Sequence, residues 1–561
     1  MRNSDSDVLS VALGAAGEGF NQSPVFEDVN LFASDRALME AAAREGASWA
    51  RDELNEIGRA AGSAHVLDLG RLANENPPKL RVIDQKGRRR DGVEFHPAYH
   101  ELMTLSKRHG LHCRAWDESA LGETPRPGAH VARGAKLYMV SQAEAGHLCP
   151  ITMTHAAFAT LRLDEALLGP LLPKLLSREY DPAFAPMEQK TSITIGMGMT
   201  EKQGGTDVRA NITGASPLGE GGLYAITGHK WFMSAPMCDA FLILAQAPKG
   251  LSCFLLPRFR ADGSLNAIRI ERLKDKLGNR SNASSEVTFL GAEAQLVGEE
   301  GRGVPAIIEM VTLTRLDCVL SSAGLMRFTL ANAIRHTRHR TVFQRKLIDQ
   351  PLMANVLADL ALDAEAATAL AFRLAGSFDR SADPQEAAYR RLMTPVVKYW
   401  VCKAAPAFAY EAMECMGGNG YVEEGLLARA YREAPLNAIW EGSGNVMCLD
   451  ILRVMQREPG AVEAVLASVE PVAKDNADLA AGLAQIKTAL ASHSIHEGDA
   501  RWLAERLALL AAAALLVEHA PAEIAEPFAA SRLAGGWRHS YGAGLKGADT
   551  EAIIARAGEG L

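Results

Sequence analysis

Apolar residues recur at helical spacing through most of the first 175 positions, with charges on the intervening ones. Asp35 is placed to cap a helix running through Leu38, Met39, Ala42 and Trp49. The same period predicts helices over Ala64–Glu75, Pro97–His109, Gly134–Ala145 and Thr154–Leu168, while Arg81–Gly92, dense in Lys, Arg and Asp, reads as a solvated loop. From about Lys190 to Val297 the pattern shortens. Branched and aromatic runs at Leu223–Thr227, Ala240–Ala247, Ser252–Leu256 and Glu286–Leu290 alternate with Gly, Asn and Asp turns, predicting an antiparallel β region folded as a small sandwich or barrel. Long helical patterns return over 304–340, 351–377, 384–416 and 446–457. Four such helices with short connections predict a bundle, the third kinked or divided at Pro395 and Pro406.

The fold class is therefore α+β and mostly α. A flexible tail (1–18) precedes an N-terminal helical domain (19–187), a β domain (188–300), a four-helix bundle (301–460) and an Ala-rich helical extension (461–561). This order excludes a doubly wound dinucleotide fold. The glycine run at Gly417–Gly420 follows a helix rather than a strand, so it is no dinucleotide fingerprint.

Composition narrows the classes further. With 561 residues, 48% hydrophobic and 22% charged, the chain can bury a large core. A net charge of −8 offers no global attraction to nucleic acid or anionic lipid. The longest solid apolar run, Leu507 to Val517, is too short to span a bilayer, and the N-terminus lacks the layout of a secretion signal. Eight scattered cysteines without CxxC spacing read as reduced thiols of a cytoplasmic protein. No zinc site is signalled: His96 and His100 have i, i+4 spacing, but a histidine pair at a helix start explains them equally simply.

Chemistry concentrates in two glycine-rich turns. In Ile439-Trp-Glu-Gly-Ser-Gly-Asn445 one carboxylate stands between a tryptophan and glycines that add no bulk to an approaching flat ligand. The helix that follows offers free N–H groups to an anion such as a diphosphate, although Asn445 as an ordinary N-cap accounts for the pattern too. The second turn runs from Gly196 to Asp207.

With the stretches Cys149–Thr154, Gly228–Trp231 and Leu273–Ala283, these turns resemble the acyl-CoA dehydrogenase flavoproteins, and within them the AidB-type branch associated with the response to DNA alkylation. The resemblance covers roughly residues 40–460 and implies an FAD-dependent oxidoreductase acting on acyl thioesters. It implies that Thr200 hydrogen-bonds the flavin, that Thr206 lies near its pyrophosphate, and that Ser234 reaches the N5 region. Phe232 stands where the family usually has a tryptophan against the ring. Met197, Gly198, Met199, Gly205, Trp440, Gly442, Ser443 and Asn445 complete the implied cofactor set within one chain. Arg340 and Phe343 match the family's Arg-x-x-Phe-Gly, with Gln344 in place of the glycine; together with Gln350, Gly417 and Gly418 they are implied to serve a neighbouring subunit's cofactor. A solvated helix end is the other reading of the charge cluster 335–346. The site would then need at least a dimer, and the resemblance implies a homotetramer.

Glu441 matches the family's catalytic base, and Arg315 and Arg453 are implied substrate-side residues. Relatives that carry the base on a bundle helix place it before an arginine; here that position is Thr314. An electron-transferring flavoprotein is the implied acceptor, with oxygen also open. The AidB branch adds an alternative role, in which the C-terminal extension binds double-stranded DNA and Arg532, Trp537 and Arg538 make contacts. Charge argues against it, because residues 461–561 hold 8 Lys and Arg against 13 Asp and Glu. Otherwise the extension is a packing module.

Overall fold

The structure, a computed structural model, describes residues 21–219, 221–491, 495–534 and 548–561. The tail expected over 1–18 lies outside them. Helices occupy the first part of the chain, a β module the middle, and long helices the remainder.

Asp35 caps its helix as the sequence predicts, its carboxylate accepting from the Leu38 N–H at 3.0 Å. That helix ends sooner than expected. Gly46 takes φ +96° and the chain re-enters a short turn at Ser48–Ala50, leaving Trp49 beyond the break. The helix foreseen over Thr154–Leu168 is two, Leu148–Leu161 and Glu165–Leu176, the second restarted by an Asp164 cap. Arg81–Gly92 is a correction: it belongs to a hairpin of strands Lys79–Ile83 and Arg89–Glu94. Charge masks the strands, since neither has a continuous apolar face, and a cross-strand Arg81–Glu94 pair at 2.8 Å supports the register.

In the β module, pairing joins strands Gly214–Pro217, Leu223–Ser234, Ser284–Val297, Gly250–Pro257 and Ala240–Ala247 into a ring. Strand Ile195–Gly198 adds outside the ring, parallel to Ala240–Ala247, so the sheet is mixed where pure antiparallel pairing was expected. Ile195–Gly198 and Gly214–Pro217 are too short and glycine-bearing to announce themselves in the sequence. A fully buried pair, Lys230 Nζ to Glu201 at 2.8 Å, ties the Gly196–Asp207 segment to the long strand; the carboxylate, despite its desolvation, is pulled down to about 2 by Lys230 and by N–H donors.

Helices Gly303–His339, Pro351–Asp379, Pro384–Glu414 and Gly444–Arg457 make the bundle. Pro384–Glu414 runs unbroken through Pro395 and Pro406, contrary to the expected division. Each proline forfeits one N–H bond, but the helix is packed on both partners along this length, and burial of Val396, Val397, Val401 and Phe408 outweighs the loss. Arg133, on helix Ala129–Ala143, makes a buried two-pronged ion pair with Asp317 of Gly303–His339, locking the N-terminal helices to the bundle. The extension contributes helix Ala500–His519, which lies against Gly444–Arg457, Pro384–Glu414 and Pro351–Asp379. All eight cysteines are buried free thiols. Among the described residues no helix is long and apolar enough to cross a membrane.

Candidate functional site

The bundle holds Glu441 in a backbone conformation that a side chain rarely adopts. Its φ is +57°, followed by Gly442 at +104°. A left-handed non-glycine residue costs on the order of 1–3 kcal/mol, so surrounding contacts must over-determine it. They do. Arg315 Nε donates to the Glu441 carbonyl at 3.0 Å, and Lys398 Nζ donates to the carbonyls of Gly442 at 2.9 Å and Asn437 at 3.0 Å. The Trp440 indole donates to Asn437 Oδ1 at 2.8 Å, closing the turn on itself. A side chain at Gly442 would place Cβ 2.5 Å from the Met447 methyl, which can swing aside, so it is the positive φ that requires this glycine.

The carboxylate itself accepts one hydrogen bond, from Thr314 Oγ1 at 2.7 Å. Desolvation by the surrounding protein raises its pKa above the usual glutamate value; the Thr314 hydroxyl and the charges of Lys398 and Arg315 oppose that rise without cancelling it. Arg315 is held in turn by Asp450 at 2.9 Å, which Arg391 also grips at 3.1 Å. Against its own desolvation, Asp450 is kept below the usual carboxylate range by these two arginines.

Cys149, buried on helix Leu148–Leu161, responds to the Glu441 charge. Burial pushes its thiol up to about 11; Lys276 and the side chains of Ser234 and Asn282 pull it down, and the Glu441 carboxylate raises it. The β-module residue Ser234 and the bundle residue Glu441 thus both act on this thiol. Asn282, 2% exposed, has neither amide atom in a hydrogen bond. Burial draws Lys276 down to about 8, with Cys149, Glu433 and Glu144 opposing, while its Nζ donates to Asn282 O at 2.6 Å and Ser284 Oγ at 3.0 Å.

The residues of the Gly196–Asp207 turn fit a flat cofactor. Thr200 and Phe232 bridge, Thr200 O accepts from Trp231 N at 2.8 Å, and the Phe232 ring is left 48% exposed with Lys274 Nζ 4.4 Å from its centre. Gly205 passes so close to Thr200 that a Cβ there would lie 2.5 Å from the hydroxyl. Thr206 is exposed, Met197 and Met199 half-buried, and Gly198 packs on Met233. Ser443, not Asn445, is the N-cap of helix Gly444–Arg457; Asn445 Oδ1 accepts from Arg501 of the extension at 2.8 Å.

Arg340, Phe343, Gln350, Gly417 and Gly418 stand apart. Among the described residues no hydrogen bond or ion pair joins them to the Glu441 turn. Arg340 donates to Asn21 O at 2.9 Å, and Gln350 to Val342 O at 3.1 Å. Between the two-residue strands Thr341–Val342 and Arg345–Lys346, Phe343 at φ +50° and Gln344 at +65° form a tight turn, with Phe343 89% exposed. The family's glycine at 344 is explained by that positive φ.

Of two further arginines, the second is corrected. Arg453 is exposed, 3.7 Å from Asp450, so it adds to that aspartate's cluster without touching the Glu441 turn. Arg532, expected on a DNA-contacting surface, is buried: it pairs with Asp359 at 2.5 Å and Asp363 at 2.9 Å, joining helix Ala522–Leu533 to Pro351–Asp379. Two desolvated carboxylates outcompete a phosphate for this guanidinium. Trp537 and Arg538 lie outside the described residues. His96 caps helix Pro97–Arg108, accepting from Ala98 N at 3.2 Å, and His100 meets the Tyr180 hydroxyl at 3.1 Å.

The sequence reading passed over Lys398, Asp450 and Asn282. The one available signal was Lys398, a lone cation inside Pro395–Val401, an otherwise apolar and aromatic helical run that can bury a charge only against acceptors.

Residues 21–182 match the adaptive response protein AidB N-terminal domain, residues 196–291 the acyl-CoA dehydrogenase middle domain, and residues 301–456 its C-terminal domain. The chain is 52% identical over 447 residues to the putative acyl-CoA dehydrogenase AidB of Escherichia coli K12, covering 79% of this chain and 81% of that one. It is 31% identical to acyl-CoA dehydrogenase family member 11 of Caenorhabditis elegans, over 82% of this chain and 78% of the relative. The crystal structure of Caenorhabditis elegans ACDH-11 in complex with C11-CoA superposes with a TM-score of 0.84 at 27% identity, covering 95% of both chains. The chain belongs to the acyl-CoA dehydrogenase family, in its AidB-like branch.

Proposed function

We propose that the protein is an FAD-dependent oxidoreductase of acyl thioesters in which Glu441 is the base. The observation that carries this reading is the desolvated Glu441 carboxylate, held in a strained turn by Arg315 and Lys398. FAD, when bound, supplies the two-electron acceptor for the β-hydrogen. Thr200, Ser234 and Phe232 would hold its ring side. Glu441 takes the α-proton, and desolvation makes a carboxylate of ordinary pKa about 4.3 basic enough to do so. Arg315 and Lys398 fix the backbone that aims it, so Arg315 is assigned a positioning role rather than direct substrate contact.

Arg340, Phe343, Gln350, Gly417 and Gly418 would complete the cofactor site of a neighbouring subunit in a homotetramer. The exposed Phe343 on its strained turn supports that placement, because an apolar ring so presented gains from a covering partner. An electron-transferring flavoprotein is the proposed acceptor. The alternative of duplex DNA on the extension draws no support from Arg532, whose charge is spent internally.

Anaerobic mixing of the FAD-loaded protein with short, branched and medium-chain acyl-CoAs tests the reading. Bleaching of the flavin by at least one thioester is expected. No bleaching with any of them, alongside salt-sensitive retention of duplex DNA, would reject the enzyme reading for the DNA one.

A further inference from the structure

The charged hairpin misread as a loop covers a cavity. About 180 Å³ lies between the hairpin and strand Ile268–Leu273, with Arg89, Arg90, Arg258 and Arg269 in its lining and Asp91 as its one carboxylate. Such an excess of cations is unusual in a chain of net charge −8.

The carboxylate does not neutralise them all. Asp91 accepts from Arg89 Nε at 2.7 Å and from the Ile270 N–H at 3.4 Å, so its oxygens are committed. Arg258 is 7% exposed and its Nη2 reaches only the Asp91 carbonyl, at 2.7 Å. Its Nε is buried with no hydrogen-bond partner. The guanidinium lies 4.6 Å from the Phe184 ring centre, which supports one face of the cation without neutralising it. Desolvation lowers its pKa to about 10, which still leaves it charged at neutral pH. Asp239 and Asp91 oppose that desolvation through space, but among the described residues neither carboxylate bonds the guanidinium, and a buried arginine with a free N–H is costly unless an anion arrives. Arg90 and Arg269 are exposed at the same cavity, where they can close over an oxyanion. The remaining wall is apolar, with Leu265, Ile268 and Leu290 among its residues, and Leu290 is half exposed.

We propose that this cavity binds an organic oxyanion, a carboxylate or phosphate ester with a short apolar tail, at a site distinct from the Glu441 turn. The guanidinium groups of Arg258, Arg90 and Arg269 take the oxygens, and Leu265, Ile268 and Leu290 take the tail.

Titration calorimetry on the FAD-loaded full-length protein at fixed ionic strength tests this, with inorganic phosphate, butyl phosphate and pentanoate as probes. One of the tailed anions should bind at least tenfold more tightly than inorganic phosphate, since each buried methylene favours binding. Whichever tailed anion binds better names the headgroup. The double variant Arg90→Gln/Arg269→Gln changes only exposed side chains and should weaken that binding at least tenfold. Arg258→Met should abolish it, with circular dichroism to verify the fold. Glu441→Gln should leave it unchanged. Absence of binding by both tailed anions, or binding indifferent to the double variant, overturns the proposal. Phosphate binding as tightly as butyl phosphate overturns the assignment of the apolar wall.

Discussion

The Glu441 turn and the Arg532 cluster are both charged networks between helices, yet their designs are opposite. In the extension, one arginine meets two aspartates, all three buried, and the charges are consumed by each other. At the turn, Arg315 and Lys398 donate to backbone carbonyls, Arg315 also to Asp450, and among the described residues the carboxylate is left with a single hydroxyl donor. The first arrangement fastens two helices. The second withholds compensation from one acid, which raises its proton affinity while its position stays fixed. What separates a structural ion cluster from a reactive one is therefore which group is left under-compensated, not how many charges are present.

The largest effect expected from breaking the contrast is at the acid itself. Glu441→Gln keeps the shape and removes the base, so reduction of bound flavin by an acyl-CoA should slow by roughly 10²–10⁴-fold. FAD retention, read by absorbance after gel filtration, should be unchanged. A variant that still bleaches at the parent rate removes Glu441 from the mechanism. In the extension the corresponding change acts on stability instead. Arg532→Ala removes a buried cation that Asp359 and Asp363 share and should cost about 3–5 kcal/mol in urea denaturation, with no selective effect on turnover in the folded fraction. A loss under about 1 kcal/mol would mean that the cluster is not the fastening described.

A smaller effect tests how the turn is held. Lys398→Met removes both carbonyl contacts from a buried position while keeping much of the side-chain volume. The expected result is a roughly tenfold lower rate of flavin reduction, as misplacement of a catalytic group costs up to about a hundredfold. Loss of FAD without loss of rate per bound flavin would contradict the positioning role.

The contrast also explains what was legible in the chain. Helix positions follow from apolar spacing, and Ala64–Glu75 has the predicted boundaries. The Glu441 turn was legible because glycines at 442 and 444 follow the carboxylate, and Gly442 is indeed needed for φ. Lys398 and Asp450 were not, because their partners lie 39 to 44 and 135 positions away and local pattern carries no such information. Arg532 was misread for the same reason. An arginine near a chain's end looks exposed until the folded partner helix brings Asp359 and Asp363 to it. The hairpin at 79–94 was hidden differently: Lys79–Ile83 alternates over only five residues, with Leu80 and Val82 half-buried, and Arg89–Glu94 carries no period-two signal at all.

The finest test concerns the one hydrogen bond the Glu441 carboxylate accepts. Thr314 lowers the Glu441 pKa, against a larger upward push from desolvation. Thr314→Val retains the shape and deletes the donor, so the pKa should rise further. The base works only when deprotonated, and the acid limb of the rate profile for flavin reduction should therefore move to higher pH. Losing a hydrogen bond to a charged group removes about 1.5 kcal/mol or more, so a displacement of about one pH unit is expected. The linkage to stability has the same sign. A glutamate whose folded pKa lies above its unfolded value favours the folded state most below the unfolded pKa, and that contribution falls as pH rises through the folded one. Relative to the parent, Thr314→Val should consequently lose more stability between mildly acidic and neutral pH, measured by denaturation at the two ends. An acid limb that stays in place, with the rate lowered equally at every pH, would instead make Thr314 a group that orients the carboxylate without tuning it.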